Sequence, residues 1–125
     1  MLGSLFIRSN DHQSLQAFGK WLFARLKVKM KEIRDSENSL GGSYLVGEAL
    51  GLRVTLQYAD DRDFPAYEFL LGFRPLFEWS LADPHSLDGF AGLLAKHLAR
   101  EGLNIARPYH FGKAGTERAE YGPKN

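Results

Sequence analysis

The spacing of apolar residues changes period several times along the chain, and each change marks an element. Leu2 to Arg8 places Leu5 and Ile7 on one side of a period-two pattern and Phe6 on the other, and it stops at Ser9-Asn10-Asp11, which predicts a strand. Leu15, Phe18, Leu22 and Leu26 then recur at helical spacing, with Trp21 widening the stripe and Asn10 with Gln13 as the start signal. This predicts an amphipathic helix of about 14 residues, weakened by Gly19. From Lys27 to Arg34 the pattern alternates again, with Val28, Met30 and Glu32 on one side and Lys27, Lys29 and Lys31 on the other. A strand with a basic outer face is expected, ending in the Ser-, Asn- and Gly-rich loop Asp35 to Gly42.

Three more strands follow, over Ser43 to Glu48, Leu52 to Ala59 and Ala66 to Phe73. In the second, Leu52, Val54, Leu56 and Tyr58 alternate with Arg53, Thr55 and Gln57; in the third, Tyr67, Phe69, Leu71 and Phe73 share one side. Gly51 suits the tight turn between the first two, and Asp60-Asp61-Arg62-Asp63-Phe64-Pro65 is a polar turn before the third. A short strand around Phe77 to Trp79 leads to a second helix capped by Asp83 or Ser86. Its stripe is Leu87, Phe90, Leu93, Leu94, His97 and Leu98, and Gly102 stands where a left-handed cap belongs. Leu103 to Arg107 predicts a last strand, and the Gly-rich end has too few apolar residues for a regular element. The expectation is α+β: one domain over residues 1–111, an antiparallel sheet of five or six strands with two helices on one face, and a poorly structured arm over 112–125.

Composition narrows the function classes. At 125 residues with 44% hydrophobic and 25% charged positions, the chain can close one core and is neither a disordered nor a fibrous composition. It has no cysteine, which excludes disulfides, thiolate nucleophiles, zinc ribbons and iron–sulfur ligation, and no apolar run approaches a membrane span. The first residues predict no secretory leader, so a cytoplasmic location is expected. The net charge of +1 is too weak to argue for a general nucleic-acid binder, but it is unevenly spread. Residues 1–36 carry seven bases and three acids, 37–91 carry three and nine, and 92–125 carry six and three.

Candidate chemistry is sparse. His97 continues the Phe90 stripe and is expected at the core or its boundary; His85 fits the helix entry, and His12 and His110 fall in polar or terminal settings with no metal-pair spacing. Asp60, Asp61 and Asp63 offer hard oxygen ligands, yet Pro65 stands at a fifth position and no glutamate closes a calcium loop. Gly41, Gly42 and Gly47 belong to no phosphate-binding motif, and no Gly-x-Ser-x-Gly elbow is present. No cofactor, metal or catalytic residue is expected. Lys27, Lys29 and Lys31 with nearby aromatics suggest phosphate contact and stacking, but the aromatics fall at core positions, so nucleic acid is disfavoured.

The stretch Gly41-Gly42-Ser43-Tyr44-Leu45-Val46-Gly47-Glu48-Ala49-Leu50-Gly51-Leu52-Arg53-Val54, with Ala59-Asp60-Asp61 and Phe64-Pro65-Ala66-Tyr67-Glu68-Phe69, resembles small bacterial immunity proteins encoded beside polymorphic or contact-dependent toxins. That resemblance implies a cytoplasmic antitoxin that binds and occludes a cognate toxin domain and carries no activity of its own. The expected contact surface is the acidic turn Asp60, Asp61 and Asp63 with its flanks Tyr58, Tyr67 and Glu68, where carboxylates would stand in for phosphates in the basic cleft of a nuclease toxin. The alternative is a non-enzymatic regulatory module that binds nucleic acid or a small ligand, for which a continuous basic face or a sizeable pocket is the structural sign.

Overall fold

The computed structural model describes residues 3–11, 14–35, 42–76, 84–108 and 118–123. Within the described residues seven strands and two helices follow in the order β1 (Gly3–Arg8), α1 (Leu15–Leu26), β2 (Lys29–Asp35), β3 (Ser43–Ala49), β4 (Leu52–Tyr58), β5 (Phe69–Pro75), α2 (Pro84–Arg100), β6 (Asn104–Pro108) and β7 (Arg118–Tyr121). The strands form one sheet in the order β2-β3-β4-β5-β1-β6-β7, and every neighbouring pair is antiparallel. The fold is therefore α+β. Strands β2 to β5 are a meander. Orientation alternates across the sheet, so β5 and β6 are parallel strands flanking β1, and the α2 crossover is what joins them.

One face of the sheet carries the core. Leu5, Ile7, Leu45, Leu56, Phe69, Leu71 and Ile105 are fully or almost fully buried in one cluster with Phe18 and Leu22 of α1 and Ala95 and Leu98 of α2. Helix α1 packs over β2, β3 and β4, and α2 over β1, β6 and β7. Gly19 has a packing role that the helix pattern did not reveal: a Cβ there would overlap Leu45 Cδ1, so its absence lets α1 settle onto β3. Helix α1 starts at Ser14, whose hydroxyl accepts from Ala17 N at 3.2 Å, while Leu15 N donates to the Tyr58 hydroxyl at 2.8 Å. Asn10, the expected start, instead sits in the left-handed region at φ 68°.

Several expectations need correction. In α2 the sheet-facing residues include Ala91, Ala95 and Leu98, whereas Leu93 is 69% exposed and His97 is exposed on the outer side. Phe90, Leu94 and Leu98 of the expected stripe do pack on the core, and Ala91 and Ala95 take the places expected of Leu93 and His97, so the helix lies turned toward its alanine side. It begins at Pro84, two residues before Ser86; Asp83 lies outside the described residues, as do the 36–41 loop and the 77–79 strand. Tyr67 precedes β5 and packs on the opposite face from Phe69. The Gly-rich end is not wholly irregular: β7 pairs with β6 from Ile105–Tyr121 to Pro108–Arg118, and a sheet edge supplies the hydrogen-bonding partner that the local sequence does not advertise. Gly102 does adopt the left-handed cap, at φ 92°.

Candidate functional site

The sheet face away from the helices is built in three transverse rows, set by the strand register and lying about 7 Å apart because alternate residues share a face. The first row runs Lys29, Glu48, Arg53, Arg74 across β2 to β5. The second runs Val46, Thr55, Gly72, Ser4 across β3, β4, β5 and β1. The third has Arg34 beside Tyr44 at one end and Gln57, Leu70, Phe6 and Ala106 at the other. Small side chains in the middle row leave a trough between two taller walls. Gly72 is its lowest point, and a Cβ there would already stand 3.0 Å from Thr55 Oγ1. The resulting open cavity of about 520 Å³ is lined by Arg34, Tyr44, Arg53, Thr55, Gly72 and Arg74, among others.

The walls are strongly cationic. Arg53 and Arg74 are direct cross-strand partners, a placement that costs stability when both residues carry the same charge. Among the described residues no carboxylate lies within ion-pairing distance of either. Glu48, which faces Arg53 from β3, is held instead by Lys31 at 3.2 Å. Arg34 is different: its guanidinium meets Glu32 Oε1 at 2.6 Å and hydrogen-bonds Tyr44, and these contacts hold its pKa above the ordinary arginine value. The cavity therefore offers on one wall two guanidinium groups that make no ion pair among the described residues, and on the other a third anchored by Glu32.

The trough is closed at the β1–β6 end by the β4–β5 connection folding over the sheet. Phe64, 1% exposed, stacks on Phe6 with ring centroids 4.0 Å apart and planes 6° apart. Arg118 lies 4.2 Å above the Phe64 ring and donates to the Asp63 carbonyl. The turn is pinned further by Asp63 N donating to Asp61 Oδ1 at 2.9 Å and by Ala59 N donating to Glu68 O at 2.8 Å.

That geometry locates the six residues expected at a partner contact. Asp60 and Asp63 are exposed, whereas Asp61 is partly buried and caps its own turn. Tyr58 faces α1 and receives its hydrogen bond, and the Glu68 carboxylate accepts from Ser9 N and Oγ at 3.1 and 3.2 Å. Tyr67 is half-buried against Phe64 on the other face, and burial together with the Glu120 charge raises its phenol pKa above the ordinary value. The six are thus divided between both faces of the sheet. Of the expected lysine face, Lys27 is instead the left-handed cap of α1, Lys29 lies opposite Glu48 on the trough face and Lys31 ion-pairs with Glu48, while a bulge between Met30 and Glu32 brings Glu32 and Arg34 to the same face. Arg53 falls on the outer side of its strand as its alternation predicts, but Arg74 lies beyond the expected end of the third strand at Phe73, so their pairing in register was not foreseen.

Two smaller cavities lie elsewhere among the described residues. One, apolar and about 170 Å³, sits on the helix face between Leu26, Leu50 and Leu94; the other, about 200 Å³, lies near Asn10, Asp11 and Glu101. Among the described residues no three His, Asp or Glu side chains gather to hold a metal, and no helix is long and apolar enough to cross a membrane. Compared with protein families, curated proteins and solved structures, the chain matches no family model, no curated sequence and no solved structure.

Proposed function

We propose that this chain works by binding, without turnover, and that its contact surface is the helix-free sheet face, which receives an anionic partner. The observation that carries the reading is the Arg53–Arg74 pair, two like charges in direct register on the wall of an open cavity. Such a pair opposes folding slightly and is relieved by an incoming anion, which a solvated surface gains nothing by arranging. The absence of cysteine suits a reducing compartment such as the cytoplasm. Retention on an immobilised polyanion tests the reading. The wild-type protein should elute from heparin at a clearly higher salt concentration than the Arg53→Gln/Arg74→Gln variant, and equal elution of the two folded proteins would remove this face from consideration.

A second reading keeps the immunity role. It is favoured by exposed Asp60 and Asp63 at the tip of a turn whose base is fixed by Phe64 and Arg118, a rigid acidic projection that fits a basic toxin cleft. Co-expression with the toxin domain of a neighbouring gene separates the two surfaces. In this reading the Asp60→Asn/Asp63→Asn variant loses protection and the double arginine variant does not; the opposite pattern assigns the interface to the trough.

A further inference from the structure

The chemistry of the anion can be specified further, resting on the reading of the sheet face as an anion-binding surface. Arg53 and Arg74 stand side by side and can share one group carrying more than a single negative charge, or two neighbouring oxygens of one phosphodiester; a lone carboxylate neutralises only one of them. Arg34 is two strands and two rows from Arg53, which corresponds to about 16 Å between their Cα atoms. Its guanidinium is tethered to Glu32 and Tyr44 and stays at that far end. One phosphate cannot occupy both positions, whereas a chain with a charge at each repeat can.

Between these ends the trough is small, floored by Thr55, Gly72 and Ser4 with Tyr44 in the same lining, and the one carboxylate of that middle row among the described residues, Glu32 opposite Val46, is taken up by Arg34. The spacing of charge, neutral floor and aromatic ring matches a strand of nucleotides, in which planar bases lie between phosphates, better than an acidic peptide, which has no planar unit between its charges. Lys29 extends the first wall toward β2, giving later phosphates a further cation. We propose that the trough binds single-stranded nucleic acid, with Arg53 and Arg74 on one phosphate, Arg34 on another and Tyr44 stacking an intervening base.

Fluorescence anisotropy with a labelled eight-nucleotide oligothymidylate and the full chain tests this. With about three phosphates contacted, raising salt from 50 to 200 mM should weaken binding about twenty-fold. The Arg53→Gln/Arg74→Gln variant should bind at least ten-fold more weakly with a shallower salt dependence, and Tyr44→Ala at least five-fold more weakly with the salt dependence retained. Melting temperatures of the variants confirm that each is folded. Displacement of the oligonucleotide by thymidine monophosphate at equal site concentration overturns the strand proposal, because it describes a free-ligand pocket. Binding of polyglutamate as tight as the oligonucleotide's also overturns it while leaving the anion-binding face intact. If neither polyanion binds, both the strand proposal and the anionic-face reading fall.

Discussion

Replacing Phe64 by alanine removes the contact that holds the β4–β5 connection on the open sheet face. The ring is buried to 1% exposure between Phe6 and Arg118, so the change takes about 150 Å² of apolar surface out of burial beyond what alanine retains. At about 25 cal/mol per Å² this corresponds to about 4 kcal/mol. The ring closes a surface layer and not a sealed core, so partial collapse of the loop recovers some of it, and the expected loss is about 3 kcal/mol. With a urea dependence of about 1.5 kcal/mol per M, the unfolding midpoint should fall by about 2 M. Phe64→Leu, which keeps most of the apolar volume, should lose only about 1 kcal/mol. Amide exchange gives an independent readout, since Tyr67 N bonds to Phe64 O and Ala59 N to Glu68 O; both should lose protection in the alanine variant before the sheet does. A midpoint shift below about 0.5 M, with those amides still protected, would refute the view that Phe64 anchors the turn.

Three further outcomes follow from packing and electrostatics. Gly19→Ala gains about 1 kcal/mol of helix propensity but drives a Cβ into Leu45, at a cost of about 1 to 3 kcal/mol, so the melting temperature should fall; a rise would disprove the close approach. Leu50 and Gly51 both have positive φ, at 53° and 73°, and Leu50 is 82% exposed, so Leu50→Asn should stabilise the hairpin by about 0.5 to 1 kcal/mol in calorimetry. No gain would mean that the turn tolerates leucine without strain. Tyr67 should ionise above the ordinary tyrosine range, and because its pKa is higher folded than unfolded, its contribution is complete below about pH 10 and lost as pH rises through the folded value. Absorbance titration against Tyr67→Phe checks this, and a difference component at or below pH 10 would contradict it.

The α+β class, the meander and most strand limits were legible because alternation at Leu52 to Tyr58 and helical spacing from Leu15 to Leu26 are local patterns. What was not legible depended on pairing. The β7 strand exists because β6 offers an edge, and the bulge between Met30 and Glu32 turns Glu32 to the helix-free face, against the alternation that grouped it with Val28 and Met30. Summing charge by segment also hid the trough: Arg53 and Arg74 lie in the acidic middle of the chain, yet alternation lifts them onto the helix-free face, while the neighbouring aspartates gather in the one turn that closes the end of that face. The Asp60 turn looked like a free surface because its polar residues are visible in sequence, whereas the stacking of Phe64 on Phe6 joins positions 58 residues apart.

Backbone amide mapping locates the anion contact on the protein, by recording shifts of the ¹⁵N-labelled chain as a short heparin oligosaccharide is added. An anion seated in the trough should produce the largest changes at Arg53, Thr55, Gly72 and Arg74, with Arg34 and Tyr44 following and the Asp60–Asp63 turn unmoved. Shifts confined to other surfaces, or none at saturating polyanion in low salt, would contradict it.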